Sequence, residues 1–184
     1  MKKIDEGWHS EIFLTERNTI IKRFKKGLTK NYEKEKYFLN FLKDYGFVPK
    51  IISYDDSNLE IEMEFIDGKK FKDLNINEKI KYIDRILDIL FLLDKLKIEK
   101  EEMQRPYEHI IIKENKIYLI DWERAKIKDK PSNLTQFIQY LIKERILEFK
   151  TDLIDLLKKY KNTYSEEIFY KIKSYINNNL APVV

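Results

Sequence analysis

Apolar and polar residues alternate through "EIFLTERNTIIKRF", residues 11–24, around a break at 16–18, and this period of two predicts a β-hairpin. The period then lengthens. In "KNYEKEKYFLNFLKDYG" the side chains of Tyr32, Phe38, Leu39 and Leu42 share one helical face, and Gly46 stands where a C-cap belongs. "VPKIISYDDSNLEIEMEFIDG" returns to strands, with "DDSN" as the turn and Gly68 closing the second strand. From Asn77 onward, Ile80, Ile83, Ile86, Leu87, Leu90 and Leu93 recur at helical spacing and predict a buried helix. After the loop "EKEEMQRPYE", the stretch "HIIIKENKIYLIDW" reads as two short strands around a "KENK" turn. Three apolar-striped helices follow, over residues 134–149, 152–161 and 166–178. The expected fold is α+β: a β-rich part with one helix, residues 1–67, joined near 64–68 to a larger, mainly helical part, residues 68–184. No repeat appears and no Gly/Ser/Pro linker separates the two, so a single domain over 1–184 is expected.

Composition narrows the chemistry more than the fold. The 36 basic residues nearly balance 32 acidic ones, so the net charge of +4 permits a polyanionic partner without requiring one. Without cysteine, disulfides and thiolate metal sites are excluded. The two histidines, His9 and His109, are too few for an imidazole-rich metal cluster. The longest apolar-rich run, "ILDILFLL", is interrupted by Asp88 and bounded by Asp94, well short of a membrane span. The N-terminus "MKKIDEGWHS" has no apolar signal core. A cytoplasmic protein with no membrane partner is expected.

Candidate chemistry centres on "KIYLIDWERA". An acid at the tip of a buried strand, here Asp121, is costly unless a metal, a basic partner or a turn to be capped accompanies it. Lys22 in "TIIKRF" shares a strand face with Ile20 and Phe24, which is unusual for a lysine unless it meets an anion; a lysine snorkelling from a sheet edge is the alternative. On the following helix Glu35 lies on the side of Phe38, Leu39 and Leu42. Glu33 is about 200° away around the axis and cannot face the same partner.

The order strand, strand, helix, strand, strand, then helices, together with these residues, resembles the protein-kinase-like fold: a bilobal architecture with a small β-rich lobe and a larger helical one. Lys22 and Glu35 match the strand lysine and its helix glutamate, the latter four residues before Leu39. Asp121 in "LIDWE" matches the metal-holding D-F-G aspartate, with Trp122 for Phe and Glu123 for Gly. "RPYEHIII", "LIDWERA" and "KPSNLTQ" resemble a group of small archaeal proteins described as predicted serine/threonine kinases, distantly similar to RIO-type kinases and to the kinase of the tRNA-modification complex. The matched positions are Arg105, Pro106, His109, Asp121, Glu123, Arg124, Asn133, Thr135 and Gln136.

The resemblance implies ATP and Mg²⁺ as cofactors. Gly7 and Ser10 would lie in the phosphate loop, Lys22 and Glu35 on the phosphates, and Glu64 and Ile66 in the adenine-binding hinge. Asp121 would hold the metal, with His109 where the metal-binding Asn usually stands, and Arg105 would stand beside it in the catalytic loop. The usual catalytic Asp is missing. Counting back from Asp121 without a gap puts Gln104 in its place, whereas aligning the preceding helix puts Glu102 there. Lys22, Glu35 and Asp121 are expected to converge on a cleft between two lobes. The resulting expectation is an atypical ATP-dependent kinase or ATPase, acting on a protein or small-molecule acceptor. The alternatives are a catalytically impaired pseudokinase serving as a nucleotide-sensing interaction module, and an RNA- or ribosome-associated factor on a kinase scaffold.

Overall fold

The computed structural model describes residues 1–181. The chain is α+β, with a five-stranded antiparallel sheet and five α-helices among these residues. It divides into two compact units: Met1–Lys69 with His109–Ala125, and Lys70–Glu108 with Lys126–Val184.

In the first unit, β1 (Lys2–Glu6), β2 (Ser10–Leu14), β3 (Thr19–Phe24), β4 (Ile51–Asp55) and β5 (Glu60–Glu64) form the sheet in the order β1-β2-β3-β5-β4. The alternation expected for β3 is realised. Lys22 and Phe24 are buried on one side, and Lys22 pairs in register with Ile12 on β2 and Ile61 on β5. On β5, Ile61 and Met63 enter the core while Glu62, between them, is held by Arg17, Thr19 and Ser53. Helix α1 (Thr29–Leu42) buries Tyr32, Phe38, Leu39 and Leu42, and Gly46 ends the following 3₁₀ turn at φ 80°, a conformation that suits glycine.

The sequence pattern misses β1. All five of its residues are exposed, so no apolar face exists to detect. It is an edge strand held by its backbone ladder to β2 and by Lys3, which reaches Glu11 at 2.6 Å across the pair.

The second unit is organised by α2 (Ile76–Lys95). Asn75 and Glu78 close its N-terminus in a reciprocal capping box, and Ile83, Ile86, Leu87, Leu90 and Leu93 are buried along it. The short strands β7 (Ile98–Glu99) and β10 (Lys126–Ile127) pair antiparallel, and α3 (Asn133–Lys143), α4 (Thr151–Thr163) and α5 (Glu166–Asn178) complete the unit; for consistent numbering, β6 is Lys69–Lys70, and β8 and β9 are Ile110–Lys113 and Lys116–Leu119. Helix α3 is shorter than the 134–149 expected. Arg145 adopts φ 57° just past its end, while the buried Ile146 and Leu147 continue the apolar pattern beyond the helix. Among the described residues no helix is long and apolar enough to cross a membrane.

Candidate functional site

The β8–β9 hairpin turns through Glu114 and Asn115, both at positive φ as a tight two-residue hairpin loop requires. It is anchored at the end of β9, where Leu119 N–H donates to Phe47 O at 2.7 Å, and just past it, where Ile120 N–H donates to His109 O at 3.0 Å. The next residue, Asp121, turns the chain at φ 67°. Left-handed backbone costs an L-residue about 1–2 kcal/mol, so something must hold it there. Trp122 does part of this: its ring is fully buried, its indole N–H donates to Leu119 O, and its backbone N–H donates to Glu35 Oε2 at 3.1 Å.

Lys22 does the rest. Its Nζ lies 2.8 Å from Glu35 Oε2, 2.9 Å from Asp121 Oδ1 and 3.2 Å from Glu123 Oε2. Glu35 is buried and Glu33 is exposed, so the helix face reasoned from the apolar residues is the one that meets the lysine. Burial by itself would lower the Lys22 pKa, but the charges of Glu35, Asp121 and Glu123 more than reverse this and hold it above the usual lysine range. Burial pushes the Glu35 carboxyl upward, with Asp121 and Glu123 adding to the effect and Lys22 opposing it. Glu123 takes a further partner, since His9 Nδ1 lies 2.5 Å from its Oε1.

One ammonium set among three carboxylates leaves an excess of negative charge when all three are ionised. A free polyphosphate would be repelled by it, whereas a cation would be attracted. The carboxylate oxygens of Glu35, Asp121 and Glu123 lie within 4.8 Å of one another, and such oxygens are the donors that hard divalent cations take. Glu35 and Glu123 are closed in, with side chains 2% and 8% exposed, while Asp121 at 40% opens to solvent. Asp121 is therefore the acid best able to exchange its partner.

The other residues singled out from the sequence fall into two groups. Gly7 and Ser10 form the β1–β2 turn, where Gly7 N–H is committed to Ser10 O at 2.8 Å and Ser10 is buried. At Glu64 the backbone N–H already donates to Lys50 O, and Ile66 is buried. His109 begins the β8 hairpin, and the carboxylate group does not include it. Glu102 and Arg105 belong to the second unit, where Arg105 N–H donates to Glu102 O at 2.8 Å and closes a turn. Lys22, Glu35 and Asp121 are thus brought together.

Glu123 and His9 join them without having been among the expected ligands. The signal for Glu123 was present, as an acid two residues after Asp121 where kinases have glycine. His9 had none beyond lying in the "GWHS" turn.

The chain matches no protein-family model. It is 38% identical over 86 residues to the uncharacterized protein MJ1211 of Methanocaldococcus jannaschii, covering 45% of this chain and 73% of that protein. The chain therefore belongs to the family of that Methanocaldococcus protein. It is also 26% identical over 153 residues to a protein LicA homolog of Mycoplasma capricolum, covering 60% of this chain and 63% of the other. A third similarity, 24% over 144 residues, is to protein PFC0760c of Plasmodium falciparum, of which it covers only 4%.

Proposed function

We propose that the chain is a small phosphotransferase on a protein-kinase-like scaffold, or an ATPase of that kind, which binds ATP with Mg²⁺ at the Lys22–Glu35–Asp121 group. One observation carries this reading: a buried lysine on a central strand, paired at 2.8 Å with a buried helix glutamate, also reaches an acid at a strained strand end. A lysine serving only the fold would need one counter-ion, and a strained non-glycine turn would be expensive to keep without a use. The resemblance of "LIDWERA" and "KPSNLTQ" to small predicted kinases adds independent support.

Each residue then has a task. Lys22 meets the phosphates, and Glu35 keeps its ammonium aimed while its own position is fixed by the Trp122 N–H. Asp121 and Glu123 would supply oxygens for Mg²⁺, whose charge would neutralise that of the phosphates. The excess of carboxylates around Lys22 makes the nucleotide dependent on the cation.

A second reading, a nucleotide-sensing module without turnover, is favoured by the saturation of Lys22 by three acids and by the missing catalytic Asp. Thermal unfolding with ATP, with and without Mg²⁺, tests binding. At a hundredfold excess over Kd the stabilisation expected is about 2.7 kcal/mol, with both present and not with ATP alone. No shift with both would overturn the proposal. A shift without phosphate release or transfer would favour the sensing module.

A further inference from the structure

The outer face of α1 has so far carried no role. Its inner face buries Tyr32, Glu35, Phe38, Leu39 and Leu42. On the other side, residues spaced three and four apart stay in solvent: Lys30, Lys34, Tyr37 and Phe41, with Tyr45 in the turn that follows. Tyr37 and Phe41 stand one turn apart, about 6 Å along the axis. Their rings are half-exposed and nearly parallel, with centroids 6.0 Å apart and 19° between the planes. No other helix among the described residues exposes more than one aromatic ring. A single exposed ring is ordinary, whereas a run of them along one stripe marks a surface that meets a partner.

Charge and area decide which partner. Lys30 and Lys34 continue the stripe towards the start of the helix, and Lys26 stands in the turn before it. None of the three is held by a carboxylate among the described residues. The first turn of α1 contains no acid, and Glu33 and Asp44 fall along one edge of the stripe, so the lysine row stays clear and the whole is net positive. Three half-exposed rings present roughly 300 Å². That is too little for a stable protein complex, in which each partner buries about 800 Å². A single nucleic-acid strand needs no such area, because it binds through separate phosphate contacts and through bases stacked on individual rings.

We propose that this stripe of α1 binds single-stranded nucleic acid, with phosphates on Lys26, Lys30 and Lys34 and bases stacked on Tyr37, Phe41 and Tyr45. A single strand offers the base faces that the rings need, and a duplex keeps them inside its stack. The stripe lies within the first unit, on the side of α1 away from Glu35, and it stands or falls independently of the nucleotide site at Lys22.

Fluorescence anisotropy on the full chain tests this, with labelled oligo-uridine and oligo-thymidine of about twelve nucleotides and a duplex of equal length, over a salt series. The wild type should bind the single strands more tightly than the duplex, the stronger of the two naming RNA or DNA as the ligand. The logarithm of its affinity should fall against that of salt with a slope of about −2, the value for three phosphates. Lys30→Gln combined with Lys34→Gln should reduce the slope to about −0.7. Phe41→Ala should weaken binding by about tenfold and leave the slope in place. Alanine and glutamine are good helix formers at these exposed positions, so the variants should stay folded. Tyr170→Ala, which removes an exposed ring from α5, should change nothing. Undiminished affinity in Phe41→Ala overturns the proposal, as does a wild type that binds no single strand at low salt, or an equal loss in Tyr170→Ala. A duplex bound as tightly as the single strands overturns it too, since only unspecific attraction to phosphate would be at work. A dimer of the wild type in sedimentation velocity that Phe41→Ala dissolves would overturn it in favour of a second copy of the chain.

Discussion

Asp94 and Asp121 are both acids at the ends of structural elements, the first buried and the second part-exposed, and they are partnered in opposite ways. Asp94, near the end of α2, accepts from the Asn133 and Leu134 backbone N–H groups, the Asn133 amide and the Tyr160 hydroxyl. Each of those donors is neutral and fixed by its own helix. Asp121 stands in strained backbone and meets an ammonium that two other carboxylates already share. The first arrangement resembles a cap, binding the start of α3 to α2 with nothing left to exchange. In the second, charge is in excess and one carboxylate reaches solvent, the condition for taking up a cation. The two acids thus differ in what neutralises them: fixed neutral donors around Asp94, a shared ammonium beside Asp121.

The contrast can be broken most forcefully at Lys22. Lys22→Met leaves three carboxylates together without a cation, and loss of one side of a buried ion group costs about 3–5 kcal/mol. Urea unfolding at neutral pH should show this loss, and adding Glu35→Gln should recover part of it. Asp94→Asn is expected to cost less, about 1–3 kcal/mol, because an amide turns a donor toward groups that are donors themselves. Nucleotide affinity should not change in that variant. Its pH profile sharpens the distinction. Burial raises the Asp94 pKa above its ordinary value near 3.8, with the hydrogen bonds opposing. The contribution of a group shifted upward is fully present below the unfolded value and is lost as pH rises through the folded one. Asp94→Asn should flatten that part of the stability curve; an unaltered curve would mean that Asp94 does not titrate with folding.

What could be read beforehand follows the same division. Lys22, Glu35 and Asp121 were legible because each breaks a local rule: a lysine on an apolar strand face, a glutamate on a buried helix stripe, an acid ending a strand. Their convergence needs only strand pairing and one helix. His9 breaks no such rule, and only the β1–β2 turn, whose first strand has no apolar face, brings it to Glu123. Asn133 and Gln136 were visible as a motif without a reason, because what they bind is loop backbone, and backbone groups leave no trace in sequence. The early end of α3 escaped for a related cause: Ile146 and Leu147 are buried by the chain after the helix, and hydrophobic period does not distinguish the two.

The smallest change in stability belongs to the most informative substitution. Asp121→Asn removes one of three acids around a single ammonium, so the apoprotein should keep its unfolding free energy to within about 1 kcal/mol. Titration calorimetry with a non-hydrolysable ATP analogue and Mg²⁺ measures the central claim directly. The wild type should bind, and Asp121→Asn should show no binding at equal concentrations. Equal affinity in the two proteins, or a variant that unfolds more readily to the same extent with and without nucleotide, would contradict the account and make Asp121 a cap like Asp94.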